Sequence, residues 1–302
     1  MMVLANYMGG VMIIPDWLKH AADIGLTVTD LIAPMFIFAI GLTFSLSFRR
    51  RAERDGLKRT YNHFFTRFLA ILGMGAAISA GETAFGENLS GVDWGALQSI
   101  GIAGLVALAV IRLPSFYRWL TGLALLALYQ FLLDCFLLPI VMRSPHGGLV
   151  GSFSWAAMLI LATALADLFH DTRRGYKWYL WVTVFILAAG IALAFVSPVS
   201  KLRVSAAYVW VSLGASSLIF ATFHWLSERF QLKSRLFVVW GKNPLVLYFL
   251  HFVLIGIVFL PGIPVLYTEA PLWLVLLEIA GLLGALTAIA FWMERRNLIF
   301  SL

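Results

Sequence analysis

Apolar residues fill this chain in long runs broken by short polar stretches, and most runs have the length of a membrane-spanning helix. A helix needs about 20 predominantly apolar residues to cross a hydrocarbon layer roughly 30 Å thick. Windows that meet or approach this length cover 27–48, 65–81, 95–112, 116–140, 151–170, 178–197, 204–226, 236–260 and 271–293. A tenth, residues 1–14 (MMVLANYMGGVMII), reaches only about 21 Å at ~1.5 Å per residue. It lacks a basic leader and a small-residue cleavage site, so it does not read as a signal peptide. The fold class predicted is all-α: a polytopic integral membrane bundle of about ten transmembrane helices, the first truncated and beginning upstream of Met1. Nothing resembling a soluble linker or a low-complexity joint interrupts the runs, so residues 1–302 are expected to form a single membrane domain.

Composition agrees: 61% of residues are hydrophobic and 12% charged, against roughly 25% charged in soluble domains. One cysteine, Cys135, leaves neither an intrachain disulfide nor a cysteine metal cluster, and no metal site is expected. Its apolar run suggests a small buried hydrophobe. The net charge of +7 would point to nucleic acid only if the basic residues shared one solvated face. Their order along the chain has another cause. Most of the Lys and Arg residues fall in 49–67, 112–118, 173–177, 229–235 and 295–296, whereas Lys19, Arg143, Lys201 and Arg203 fall in the alternate loops. The positive-inside rule makes the first set cytoplasmic. With ten helices both termini are then cytoplasmic, and "PDWLKHAADIG" and the acidic loop "GETAFGENLSGVDWG" face outward. A cysteine placed at Ser90 is expected to react with an impermeant thiol reagent in intact cells, and one at Asp55 is not. Membrane lipid, and not nucleic acid, is the expected partner.

Ionisable and amide groups inside a bilayer are costly and mark pathways or sites. Asn6, Asp30, Gln98, Asp134 and Glu278 fall in the outer halves of their predicted helices, His251 past the middle of its own, and His20 and Asp93 in adjoining outer loops. Each has a structural alternative. Asp30, after "LTVT", suits a helix cap, where a carboxylate accepts backbone N–H bonds. His251 in "LYFLHFVLIG" reads more readily as a packing histidine than as a catalyst, and Asp134 and Glu278 divide between structural hydrogen bonding and a pathway. In "WGKNPLVLYFL", Asn243 precedes Pro244 as an N-cap precedes a first-turn proline. Such a start, with Lys242 beside it, holds a phosphate or is simply a helix start whose lysine snorkels to the interface. The run "RRRAERDGLKR" grips a polyanion or only sets topology.

"LANYMGG" followed by "HAADIGLTVTDLIAPMFIFAIG" resembles the catalytic domain of the heparan-alpha-glucosaminide N-acetyltransferase family and its bacterial relatives. That pattern is an asparagine ending the first helix, a histidine, then G-L-T-x-x-D-L, a proline and an F-x-F-I-x-G close. Here it is carried by Asn6, His20, Gly25, Leu26, Thr27, Asp30, Leu31, Pro34, Phe36, Phe38 and Gly41. "GALQSIGI", "SPVSKLRVSAAYVWVSLG", "GKNPLVLYFL" and "MERRNLIF" resemble later segments of the family more weakly. The departures are a missing charged run before Asn6, Ser99 where an arginine is usual, "VDWG" for R-x-P-G, and Lys242 for an apolar residue.

The resemblance implies an integral membrane acetyltransferase, in a bacterial inner membrane, that takes acetyl-CoA from the cytoplasm and acetylates an amino sugar or glycan on the outer face. It makes His20 the catalytic histidine, with Asn6 and Asp30 as active-site neighbours, and leaves Lys242, Asn243 and Gln98 as cofactor contacts. Acetyl transfer to an amine needs a base for the ammonium proton, or a nucleophile to carry the acetyl group, and histidine serves either role. Asp30 would orient the imidazole, and Asn6 or Gln98 would meet the oxyanion. A homodimer is the oligomeric expectation. Two alternatives stand beside the enzyme: a transporter or flippase using Asp30, Asp134, Glu278 and His251, and an inactive scaffold.

Overall fold

The computed structural model describes residues 2–84, 94–171, 175–231, 233–259 and 262–299. Ser90, Asp93, Arg173 and Arg174, which bear on sidedness, lie outside the described residues. The fold is all-helical: α1 (Met2–Met8), α2 (Ile32–Asp55), α3 (Leu57–Ala84), α4 (Ala96–Val110), α5 (Ser115–Leu132), α6 (Leu138–Val141), α7 (Gly148–His170), α8 (Gly175–Leu193), α9 (Ala206–Phe230), α10 (Arg235–Lys242), α11 (Pro244–Phe259) and α12 (Leu272–Arg295). Extended pairing among the described residues is one antiparallel bridge, Ile24 with Ser200.

Seven of these helical stretches are long and apolar enough to cross a bilayer, and an eighth candidate is broken. This is fewer than the about ten expected, for three reasons. The first helix stops at Met8, where Gly9 and Gly10 begin a turn. There an added Cβ on Gly10 would lie 2.6 Å from the ring of Tyr267. The window 95–112 yields only the 15 residues of α4, about 22 Å of helix. The window 236–260 is not one span but the pair α10 and α11, bent by 85°. Pro244 disfavours the helical region for the residue before it, and Asn243 accordingly leaves the helix at φ −134°, ψ 53°.

A second proline shapes the stretch from α5 to α6. Pro139 has no N–H to donate, and its ring crowds the carbonyl four residues back, at Cys135. The chain answers by widening into a π-helical turn over Leu133–Leu137. Cys135 stands exposed on that turn rather than buried. An apolar run does not distinguish a protein neighbour from a lipid one.

The chain divides into two compact units, Met1–His20 with Thr27–Ile32 and Trp225–Leu302, and Ala21–Leu26 with Ala33–His224. In the larger unit α7 is central: α4, α5 and α8 pack on it, and α3 packs on α4. Small residues such as Gly151, Ala156, Ala157 and Ala162 let neighbours approach closely. A Cβ on Gly41 of α2 would lie 2.6 Å from that of Ala162, so the last glycine of the motif is where two backbones meet. Trp178, Trp181 and Phe185 of α8 and Phe131 and Phe136 near the end of α5 are exposed, as side chains facing lipid are. In the smaller unit α1 packs on α11, and α10 and α11 pack on α12, around Tyr7, Val11, Val239, Leu247, Val275 and Leu286. The rings of Tyr7 and Tyr267 meet edge to face with centroids 5.4 Å apart.

Candidate active site

His20 and Asp30 come together in the smaller unit. Asp30 belongs to a short 3-10 turn, Thr29–Leu31, that leads into α2. The backbone N–H and hydroxyl of Thr27 donate to its Oδ2 at 3.0 and 2.9 Å, which is the reciprocal half of a capping box. Its Oδ1 accepts the Nδ1–H of His20 at 2.8 Å. The Thr29 hydroxyl donates to the carbonyl of Lys19 at 2.9 Å, tying the backbone before His20 to the same turn. Both roles weighed for Asp30, helix cap and imidazole partner, are therefore filled, one by each oxygen. The Asp30 carboxylate is wholly buried, whereas 40% of the His20 side chain is exposed.

This arrangement has a definite chemistry. A carboxylate accepts and does not donate, so Nδ1 carries the proton of the neutral ring and Nε2 holds the lone pair. Nε2 can then remove a proton or attack a carbonyl, with the buried charge of Asp30 beside the cation that forms.

Asn6 lies elsewhere in the same unit. Its Nδ2 donates to Nε2 of His251 at 2.9 Å, and the Nδ1–H of His251 donates to the carbonyl of Tyr248. One tautomer satisfies both bonds, and the ring is completely buried, as the packing alternative for His251 requires. Next to Asn6, Tyr7 donates its hydroxyl to Glu278, and the Tyr267 hydroxyl donates to the carbonyl of Tyr7 at 2.6 Å.

Lys242 lies 2.9 Å from Oε1 of Glu294, whose Oε2 accepts from Arg235 at 3.0 Å, so one carboxylate serves two cations. Asn243 donates from Nδ2 to the carbonyl of Leu298 at 2.9 Å, and its own carbonyl accepts the N–H of Leu247 at the start of α11.

Gln98 belongs to the larger unit, where it joins α3 to α4. Its Oε1 accepts the N–H of Gly95 at 3.1 Å and its Nε2 donates to Ser79 at 2.9 Å. Ser99, standing where an arginine is usual, accepts from the indole N–H of Trp94, which also reaches Ser152. Asp134 accepts from Gln130 on the exposed side of its π turn.

The segment 21–26 also belongs to the larger unit. Gly25 donates its N–H to the carbonyl of Val199 at 2.8 Å with φ +132°, a conformation that favours glycine. Asp23 accepts from the Ser200 hydroxyl at 2.7 Å and from Arg203 Nε at 3.0 Å. The Arg203 guanidinium holds the Asp23 carboxyl below its ordinary range, with Ser200 helping.

A family model for heparan-alpha-glucosaminide N-acetyltransferase, catalytic, matches residues 2–174. The chain belongs to this family. The family match takes in Asn6, His20, Asp30 and Gln98 and ends before Lys242 and Asn243. Its spanning helices make the chain an integral membrane protein, and its family is one of membrane acetyltransferases. No curated protein matches the chain.

Two polar groupings escape a reading of the sequence. Nothing around Tyr7 marks it out, although a glutamate among apolar residues, as Glu278 is, calls for a donor. Arg118 counts there only as a topology charge, and Arg49 only as part of a run that grips a polyanion or sets topology, yet both bond to Asp167 on α7.

Proposed function

We propose that the protein transfers an acetyl group from cytoplasmic acetyl-CoA to the amine of an amino sugar or glycan on the outer face of a bacterial inner membrane, with His20 as the reacting side chain. The observation that carries this reading is the His20–Asp30 pair, a half-exposed imidazole on a wholly buried carboxylate. As a base, Nε2 takes the ammonium proton. The freed amine then attacks the thioester carbonyl and the C–S bond breaks; of the two protons the nitrogen loses on becoming an amide, one ends on the sulfur of coenzyme A and the other passes to solvent. As a carrier, Nε2 attacks the same carbonyl, releases the thiol and passes the acetyl group to the amine in a second step. Asp30 keeps the tautomer right in both. Lys242 suits the phosphates of the donor because Arg235 shares Glu294 with it, which leaves positive charge over. Partners are membrane lipid and the sugar acceptor, with a second copy of the chain as the proposed assembly. With the bent pair α10 and α11 counted as an eighth span, and α1 and α4 counted as crossings beside it, this reading puts both termini in the cytoplasm.

The intramembrane pairs Asn6–His251 and Tyr7–Glu278 favour a second reading, a transporter of a small polar or envelope substrate. Transfer of radiolabel from acetyl-CoA to glucosamine and a panel of envelope amino sugars, by purified protein with His20→Ala alongside, separates the two. Label on an acceptor only with the intact histidine establishes the enzyme. Substrate flux without acetyl-CoA consumption establishes transport instead.

A further inference from the structure

We infer that a cleft in the larger unit, at the ends of α2, α5 and α7, binds a phosphate group. Its centre is Arg118, near the start of α5 and only 2% exposed. Nε donates to the carbonyl of Leu113 at 3.1 Å and Nη2 bonds to Asp167. Nη1 is buried and meets no acceptor among the described residues. A buried charged donor left unmatched is costly, and such groups are nearly always matched in folded proteins.

Asp167 does not supply the missing acceptor. Its Oδ1 already takes Ser45 at 2.7 Å and Arg49 Nη2 at 2.6 Å, and its Oδ2 takes Arg118. One carboxylate thus serves two guanidiniums. Arg49, Arg118 and Asp167 line a cavity of about 480 Å³ together with Arg112, Glu53 and Ser115. Three guanidiniums face two carboxylates there, so the lining is net positive. A water takes up about 30 Å³ of liquid, so the space is far larger than one bridging water needs and falls in the range of small-ligand sites. Guanidinium groups pair with phosphate oxygens, and Arg118, held through Nε and Nη2, leaves Nη1 as an unmatched donor on a residue that lines this cavity. Either the phosphates of a nucleotide or the phosphodiester of a lipid headgroup supplies this chemistry. The inference requires neither His20 nor acetyl transfer.

The test uses the full chain with two probes: coenzyme A, titrated calorimetrically in detergent, and phosphatidylglycerol, counted by native mass spectrometry from phosphatidylcholine nanodiscs that contain it. Two variants are compared with the wild type. Arg112→Gln changes an exposed side chain outside the Asp167 network, and Arg118→Lys keeps the ion pair but removes the fork. The wild type is expected to bind at least one probe, with inorganic pyrophosphate competing. Arg112→Gln is expected to weaken that binding roughly fivefold and Arg118→Lys roughly tenfold or more. Weakening for coenzyme A alone identifies nucleotide phosphates, and weakening for phosphatidylglycerol alone identifies a lipid headgroup. His20→Ala should bind as wild type, so failure of the acetyl-transfer reading leaves this test intact. A wild type that binds neither probe, or an Arg112→Gln protein that binds as wild type, overturns the inference whatever Arg118→Lys does.

Discussion

His20 and His251 are both histidines of the smaller unit, the first held through Nδ1 and the second through both ring nitrogens, and their surroundings assign them opposite work. His20 gives Nδ1–H to a buried carboxylate and keeps 40% of its side chain exposed. His251 is wholly buried, takes an amide hydrogen from Asn6 on Nε2 and gives Nδ1–H to a backbone carbonyl. Both nitrogens of the second ring are committed to neutral groups, so it locks α1 to α11. The first ring has a charged partner and access. A histidine in a membrane protein is therefore a candidate for chemistry by virtue of its partner and exposure, not its depth.

The largest effect that would break this contrast is on turnover. His20→Ala is expected to lower acetyl transfer about 10³-fold, within the range a positioned base contributes, while the folded fraction in detergent stays at the wild-type level. A variant that keeps more than a tenth of the activity would remove His20 from the reaction. Asp30→Asn comes next, at about 10²-fold, because the amide keeps the shape but removes the charge and permits the wrong tautomer. Steady-state rates for both variants check the order, and a neutral Asp30→Asn would leave capping as the only role of that carboxylate. His251→Leu should behave differently. It leaves the amide of Asn6 unmatched, so thermal unfolding should show a loss of about 1–3 kcal/mol, with transfer per folded molecule within roughly threefold of wild type. A stable but inactive His251→Leu protein would move the chemistry to the buried histidine.

Much of this frame is legible in the chain itself, because length and apolarity alone define a spanning helix. The windows for α2, α3, α7, α8, α9 and α12 match helices to within several residues at each end. The misses have local causes. Pro244 breaks what hydropathy reads as one run, since hydropathy carries no backbone geometry. Gly9 and Gly10 end α1 early, and Tyr267, far away in sequence, occupies the space a side chain at Gly10 would need. At the site, the ten-residue separation of His20 and Asp30 gives no sign that they touch. The T-x-x-D signature at Thr27 and Asp30 does show the capping half of the arrangement. Asn6 is legible as an important polar group, but its partner, His251, lies 245 positions away. Arg118 is hidden by the positive-inside rule, which counts charges at helix ends without asking whether they are solvated.

The smallest expected effect comes from a third polar pair, Asp23 with Arg203, in which both side chains are about a quarter exposed. It has a carboxylate, as the His20–Asp30 pair does, but a guanidinium in place of the imidazole. Because Arg203 lowers the Asp23 carboxyl in the folded chain, the pair stabilises above the ordinary carboxylate range. That contribution is lost as pH falls through the ordinary value toward the lowered one. Partial exposure and salt screening keep it to about 1 kcal/mol or less. Thermal unfolding between pH 7 and pH 3 should therefore show a slightly steeper acid loss for wild type than for Asp23→Asn, with the difference shrinking in high salt. Transfer activity at neutral pH should change less than about threefold, far below the effect expected at His20. If Asp23→Asn instead reduces turnover as strongly as Asp30→Asn, then a buried carboxylate on an imidazole is not what distinguishes the site. The segment 21–26 would then belong to the catalytic machinery in its own right.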